Sequence, residues 1–541
     1  METDVVVVGG GLAGLRDAYE ARRAGADVIL AVKGKAGRSG SSAMTSAGYS
    51  SVIDPADSPA LHYADTLRGG RNINDRNLAR IFTEEAPGRL RDLVDLGSPL
   101  LHDAAGALVV HPSGDHTVAR TVVATNHTGL DFTLPLARAI TEAGVRILEM
   151  TTILDVLVEN GAVTGVLALD YDKGELIRIA APAVILATGG AGRLFAFTSN
   201  PNDATGDGYA LALRAGAELR DMEFVQFYPW RCILPFDRNR MPIQPSTFVL
   251  GATLRNRQGE RFMLDYDREH AESTTRDVAA RAIYDQIHAG HDVDGGVRLD
   301  VSQLSDQDWV TTNPRPAKYF ADRQLDFRQV TMILAPEAHF FMGGVVVDGN
   351  GESRITGLYA VGETAGGAHG ANRLDSNAIP EGQVFGARAG AHAAKRARLA
   401  GRPAAPATDR DSFGGPPNPD LDERLSTIRR DLQLLMGHSF GIVRTAMDLE
   451  AGLRGLEALR ERAQDLQPGS ARERAQAFEL TNSLLVAEAC LTAGLTRTES
   501  RGAHYRTDCP ERNDARWQRT LRIELVPDGG LRLEPSELVA A

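Results

Sequence analysis

The chain has 541 residues, 43% hydrophobic, 24% charged and 6% aromatic, a composition that excludes disordered and fibrous proteins. Such a length exceeds what one core usually supports, so two or three packed units are expected. The formal net charge of −12 and the lack of any basic patch exclude a nucleic-acid partner, because phosphate binding needs clustered cations.

Cys232, Cys490 and Cys509 lie far apart with no C-x-x-C pair. They fit a reducing compartment and leave no zinc or iron–sulfur site of the usual spacing, so no metal is expected. No apolar run approaches the roughly twenty residues needed to span a bilayer, and no transmembrane segment is expected. The amino terminus lacks a basic n-region and a cleavage site. A cytoplasmic protein is expected.

In chain order, Asp4 to Val8 is a β-branched run followed at once by Gly9-Gly10-Gly11-Leu12-Ala13-Gly14. Leu15 to Ala24 suits a helix and Ala26 to Val32 a second strand. Strand, glycine turn, helix and strand in that order open a dinucleotide-binding βαβ unit. Gly9 permits the tight turn, Gly11 a close approach of backbone to pyrophosphate, and Gly14 close helix–strand packing. The helix amino terminus then aims free N–H groups and its positive dipole end at the phosphates. The second strand ends Ala31-Val32-Lys33, where a ribose-binding acid is expected and is missing.

Ala183 to Gly190 reads as a buried parallel strand entering another glycine turn. Gly344 to Val347, then Gly357 to Glu363, predict a hairpin and a strand delivering an acid at its end. These runs predict an α/β fold: a split Rossmann-like domain over residues 1–235 and 343–400, interrupted by a capping domain at 236–342. Ala378 to Arg396 suits a helix with Pro380 in its first turn, where a missing N–H costs nothing. Gly382, Gly386 and Gly390 recur every four residues on one face, for close packing. Residues 401–420, with five prolines and three glycines, read as a linker. Beyond it, Leu421, Leu425, Ile428, Leu432 and Leu435 form a helical apolar stripe that opens a carboxy-terminal helical domain with a tail, 421–541.

These motifs together resemble the flavoprotein family of succinate dehydrogenase, fumarate reductase and L-aspartate oxidase. The resemblance rests on the opening glycine turn, Ala187 to Ala191, Gly206-Asp207-Gly208, Met222 to Phe227 and Gly259 to Met263. It rests further on His339 to Gly344, Gly357 to Glu363, His369 to Asn377 and Glu499 to Arg506. It implies FAD, with Gly10, Gly11 and Gly14 at the pyrophosphate. It also implies cofactor contacts from Lys33, Asp207, Glu363, Asn377, Ala378 and Ile379. The segment from Ser41 and Ser42 to Gly48 matches the loop along the flavin. Respiratory members carry a covalently linked histidine where Ser41 stands, so non-covalent FAD is implied. The helix near Ala378 is implied to point its amino terminus at the flavin, where its dipole favours the reduced anion.

For the chemistry, the resemblance implies that Arg373 and His339 clamp a substrate carboxylate and that Arg276 shuttles a proton. A guanidinium fork fixes a carboxylate through two parallel hydrogen bonds. With a pKa above about 12, arginine needs help to give up its proton. Two family positions are altered. A usual His-Pro-Thr is Tyr228-Pro229-Trp230, and a Thr-Glu pair and an Arg become Gln244-Pro245 and Phe248. With half of the clamp more aromatic and less charged, Tyr228, Trp230 and Gln244 are expected at the other end of the substrate. A small carboxylate other than succinate is expected, with oxygen, fumarate or an iron–sulfur partner as electron acceptor. The alternative is a flavoprotein electron-transfer subunit that works only with an iron–sulfur partner.

Overall fold

Unbroken apolar strands such as Val5–Val8 and Ala183–Leu186 are stable only when both faces are covered. In the computed structural model, which describes residues 1–46, 48–236, 241–403 and 416–538, they sit at the centre of a five-stranded parallel sheet. Its order is Leu358–Ala360, Ala183–Leu186, Val5–Val8, Val28–Ala31 and Arg146–Leu148. Val5 and Val7 belong to one buried cluster with Leu15, Phe82, Phe132 and Val384, from helices Leu12–Arg23, Arg76–Asp95, Leu130–Glu142 and Ala378–Ala400. Val6 and Val8 belong to the cluster on the opposite face. There they join Val166 of the antiparallel meander at 151–180 and Leu484 of a carboxy-terminal helix.

The glycine stripe does what its spacing predicts. A Cβ at Gly382 meets the Ala13 Cβ at 3.3 Å, one at Gly386 the Ala13 carbonyl oxygen at 2.9 Å, and one at Gly390 the Asp17 carbonyl oxygen at 2.4 Å. Helices Ala378–Ala400 and Leu12–Arg23 therefore lie almost backbone to backbone, which fixes both amino termini relative to the sheet.

A second sheet is antiparallel and runs Met241–Pro242, Val225–Leu234, Met332–Phe341, Val297–Asp300 and Thr253–Arg255. Its two long strands lead from the parallel sheet into the cap and back. The cap has its own aromatic core, including Trp230, Phe248, Trp309 and Phe320. Three helices, Leu421–Ser439, Ala446–Gln464 and Ala471–Thr496, form the carboxy-terminal domain. The expected linker falls largely on residues outside those described.

One expectation is corrected. Gly344–Val345 does not fold into a local hairpin; it pairs with Leu219–Arg220, because the intervening chain returns to the parallel sheet. The tail after the carboxy-terminal helices is itself ordered. Thr520–Leu525 and Leu531–Ser536 form a hairpin around Asp528-Gly529-Gly530 and extend the strand at Leu219–Arg220 into a four-stranded sheet. No helix among the described residues is long and apolar enough to cross a membrane.

Candidate active site

A cavity of about 980 Å³ opens at the carboxyl ends of the parallel strands and runs beneath the cap. Gly10, Gly11, Lys33, Ser41 and Ser42 line it. Gly48, Asp207, Glu363, Ala378 and Ile379 line it too. Gly9 holds φ at +112°, and a Cβ there overlaps the Ala187 carbonyl oxygen at 2.2 Å, so only glycine makes this turn. A Cβ at Gly11 meets only Ser42, its nearest atom the Oγ at 3.2 Å, which leaves the backbone accessible from the cavity. Gly14 and Asn377 are not in the wall. Gly14 is a packing position, where a Cβ lies 2.0 Å from the Gly9 carbonyl oxygen. Asn377 is buried and pins its loop, its Oδ1 2.9 Å from His62 Nε2 and its Nδ2 3.2 Å from Thr66 Oγ1.

Lys33 and Asp207 face the cavity and also hold each other. Lys33 Nζ lies 2.8 Å from Asp207 and 2.9 Å from Glu479 of the last long helix, and Asn482 of that helix donates to Asp207 at 2.8 Å. Burial works against the lysine charge, but the two carboxylates outweigh it and raise the ammonium pKa. The residue where a ribose-binding acid was expected thus ties the carboxy-terminal domain to the cavity wall. Glu363 supplies an acid on the other side; burial pushes its carboxyl up to about 7, and its Oε1 accepts the Phe341 N–H at 3.0 Å.

At the cap end, Arg276, His339 and Arg373 line one stretch of wall. Arg276 is the first residue of helix Arg276–His288, His339 lies on strand Met332–Phe341, and Arg373 precedes helix Ala378–Ala400. All three face the cavity. Gln226, to which the sequence alone assigns no role, joins the arginines. Its Oε1 accepts from Arg373 at 3.0 Å and Arg276 at 3.1 Å, while its Nε2 donates to Asn372 Oδ1 and the Arg373 carbonyl oxygen. Its only sequence signal is a lone amide among Phe224, Val225 and Phe227. Arg276 pairs with Asp375, while its neighbour Asp277 pairs instead with Arg71 and Arg281. No local signal places Asp375 there.

Arg373 is buried, and no carboxylate among the described residues lies within ion-pair distance of it. Burial first, and Arg276 second, push its pKa down to about 9. Burial and the neighbouring Arg373 also hold His339 well below the usual histidine range, so its imidazole is neutral; its Nδ1 is 2.7 Å from Ser199 Oγ. Tyr228 packs its ring 5.2 Å from that imidazole, but its hydroxyl already donates to the Ile243 carbonyl at 2.6 Å. Gln244 lines the cavity and donates to Ser46 Oγ at 3.3 Å. Trp230 does not line it: the indole packs on Phe248 at 4.9 Å in the cap core.

Two family descriptions match this sequence: an FAD binding domain over residues 4–379 and a fumarate reductase flavoprotein carboxy-terminal domain over 429–538. The chain belongs to the fumarate reductase and L-aspartate oxidase flavoprotein family. Among its relatives is a fumarate reductase (CoM/CoB) subunit of Methanothermobacter marburgensis, 38% identical over 96% of this chain and 97% of that one. L-aspartate oxidase of Streptomyces coelicolor is 34% identical over 99% of this chain and 93% of its own. The FrdA chain of a mutant Escherichia coli quinol fumarate reductase superposes with a TM-score of 0.89 at 29% identity, over 100% of this chain and 97% of that one.

The cavity of this flavoprotein fits FAD. The helices starting at Leu12 and Ala378 have no side-chain cap from their N-cap residues and open toward it; the Leu12 N–H donates to Ser42 Oγ at 3.1 Å, and the other first-turn amides favour anionic groups. Gly40 and Gly189, both at positive φ, have nothing within 4 Å of a built Cβ, so any side chain there intrudes on the cradle. The buried Asn200 Oδ1 in the wall has no protein partner.

Proposed function

We propose that this flavoprotein moves a hydride between non-covalently bound FAD and a carbon beside the carboxylate of a small organic or amino acid. The reaction makes or reduces a C=C or C=N bond, and succinate is not the preferred substrate. The observation that carries the proposal is Arg373, a buried guanidinium with no carboxylate partner among the described residues, facing the cavity beside a neutral His339. Ser41 in the cavity wall, at the position of the covalent histidine in respiratory members, supports non-covalent attachment.

When bound, FAD supplies the two-electron donor or acceptor. Arg373 binds the substrate carboxylate in its fork and His339 hydrogen-bonds it without adding charge, which fixes the reacting carbon. Gln226 keeps both guanidiniums turned to that point. Arg276 holds the proton that is exchanged with substrate. Tyr228 offers a ring face, and Gln244 a neutral amide, to the rest of the molecule.

The test is anaerobic photoreduction of the FAD-loaded protein, followed by timed reoxidation with oxygen, fumarate or an unsaturated acid bearing one carboxylate. Reoxidation fastest with oxygen or the monocarboxylate is expected. Fumarate as the fastest acceptor, with succinate the best reverse substrate, overturns the proposal.

A second reading is favoured by relatives named as subunits. On it, the chain passes electrons to a separate iron–sulfur protein, and photoreduced flavin is reoxidised by none of the three. The unpaired Cys232 and Cys490, both buried, suit a reducing cytoplasmic setting for either.

A further inference from the structure

We propose that Asp375 sets the charge of the accepted substrate: it is a built-in carboxylate that occupies Arg276, leaving room for only one negative charge. The proposal rests on the reading that Arg373 and Arg276 face the substrate, and names the residue that divides their roles.

The two arginines share Gln226 and look equivalent in sequence, yet their ionic partners differ. Arg276 is ion-paired with Asp375, whereas Arg373 donates to the Gln226 amide and the Leu374 carbonyl, lies 4.6 Å over the Phe340 ring, and has no ion-pair partner among the described residues. The Asp375 side chain is 17% exposed and lines the cavity, so it stands where a substrate's second carboxylate would compete for Arg276.

Asp375 is held there by its backbone. Its N–H donates to Asp115 Oδ2 at 2.8 Å, while its carbonyl accepts from Ser50 Oγ at 3.0 Å and lies 2.9 Å from His116 Nε2. Ser376 follows at φ +57°, a left-handed conformation that a serine adopts only when its surroundings impose it. With three side chains on the backbone N–H and C=O of this one residue and a strained residue beside it, the carboxylate is built into the wall.

The surrounding charges point the same way. Asp115 lines a small pocket together with Arg276. Burial alone would raise its pKa, but His116 and Arg276 outweigh it and keep it ionised. Arg231, also in the cavity wall, lies 3.1 Å from Glu337. Around Arg276, three arginines (231, 276 and 373) meet three carboxylates (115, 337 and 375); Arg315, also in the cavity wall, stands near Arg231 and donates to the His127 carbonyl oxygen at 2.9 Å. One incoming carboxylate finds Arg373; a second reaching for Arg276 finds that cation taken and a fixed anion beside it, a costly encounter once desolvated.

The test compares succinate with butyrate, alike in length but differing by one carboxylate, by calorimetry on the FAD-loaded protein. Wild type is expected to bind succinate no more tightly than butyrate. Asp375→Asn should tighten succinate by at least about tenfold while butyrate changes less than about threefold. Asp375→Ser serves the same comparison if Asp375→Asn fails to retain FAD. Unchanged or weakened succinate binding in the variant overturns the proposal. In parallel, Arg373→Met should abolish butyrate binding; if it does not, the placement of the site itself fails, whatever Asp375 does.

Discussion

Arg276 and Arg373 share a single acceptor, Gln226 Oε1, at 3.1 and 3.0 Å, although one arginine comes from the cap and the other from the FAD-binding unit. Two buried guanidiniums repel each other, and the oxygen between them makes their approach tolerable. Gln226→Leu removes that oxygen and leaves both arginines short of an acceptor. The loss of a hydrogen bond to a charged group is expected to cost about 1.5–3 kcal/mol of carboxylate affinity. Calorimetry with butyrate checks this; FAD content should stay unchanged, and unaltered affinity would remove Gln226 from the site.

Arg373→Ala should abolish turnover, a loss of at least about a thousandfold, because truncating a buried charge at its binding partner costs several kcal/mol. The cofactor end of the cavity does not depend on this side chain, so the yellow colour should persist. Near-normal turnover with bound FAD would place the substrate elsewhere.

The glycine stripe makes a stability prediction with an internal control. Gly390→Ala forces a methyl to within 2.4 Å of the Asp17 carbonyl, and overpacking of this kind costs about 1–3 kcal/mol. Gly437 lies on the exposed side of helix Leu421–Ser439 with nothing within 4 Å, so Gly437→Ala should stabilise by about 0.5–1 kcal/mol. Thermal melts of the two variants should shift in opposite directions.

Asp277 makes stability depend on pH. Burial alone would raise its carboxyl, but Arg71 at 3.1 Å and Arg281 at 3.6 Å outweigh it and bring the pKa down from 3.8 to about 2. The folded value lies below the unfolded one, so this stabilisation is complete above about pH 4 and is lost as pH falls toward 2. The shift corresponds to about 2–3 kcal/mol. Asp277→Asn should flatten that part of an acid-unfolding series; an unchanged slope would assign the pH dependence to other groups.

The nucleotide-binding turn is legible in the sequence because its glycines answer local demands, a positive φ at Gly9 and a close approach at Gly14. The spacing of Gly382, Gly386 and Gly390 likewise announces its packing. Arg276, His339 and Arg373 are reached through resemblance, since nothing local says that three residues so far apart converge. Trp230 shares the cap core with Tyr228, their rings 5.8 Å apart, and chain proximity alone does not tell that only Tyr228 reaches the cavity wall. Gln226 and Asp375 escape sequence reasoning because their partners lie far off in sequence, 147 residues away for Gln226 with Arg373 and up to 325 for Asp375 with Ser50. The terminal hairpin carries a readable Asp-Gly-Gly turn, masked by the helical stripe before it.

The ion pair of Arg276 with Asp375 crosses the seam between cap and FAD-binding unit. The contact that joins the two units is thus made by the same groups that line the chamber, Arg276, Asp375 and, through Gln226, Arg373. A substitution at Asp375 therefore loosens a tie of the cap as well as recharging the chamber.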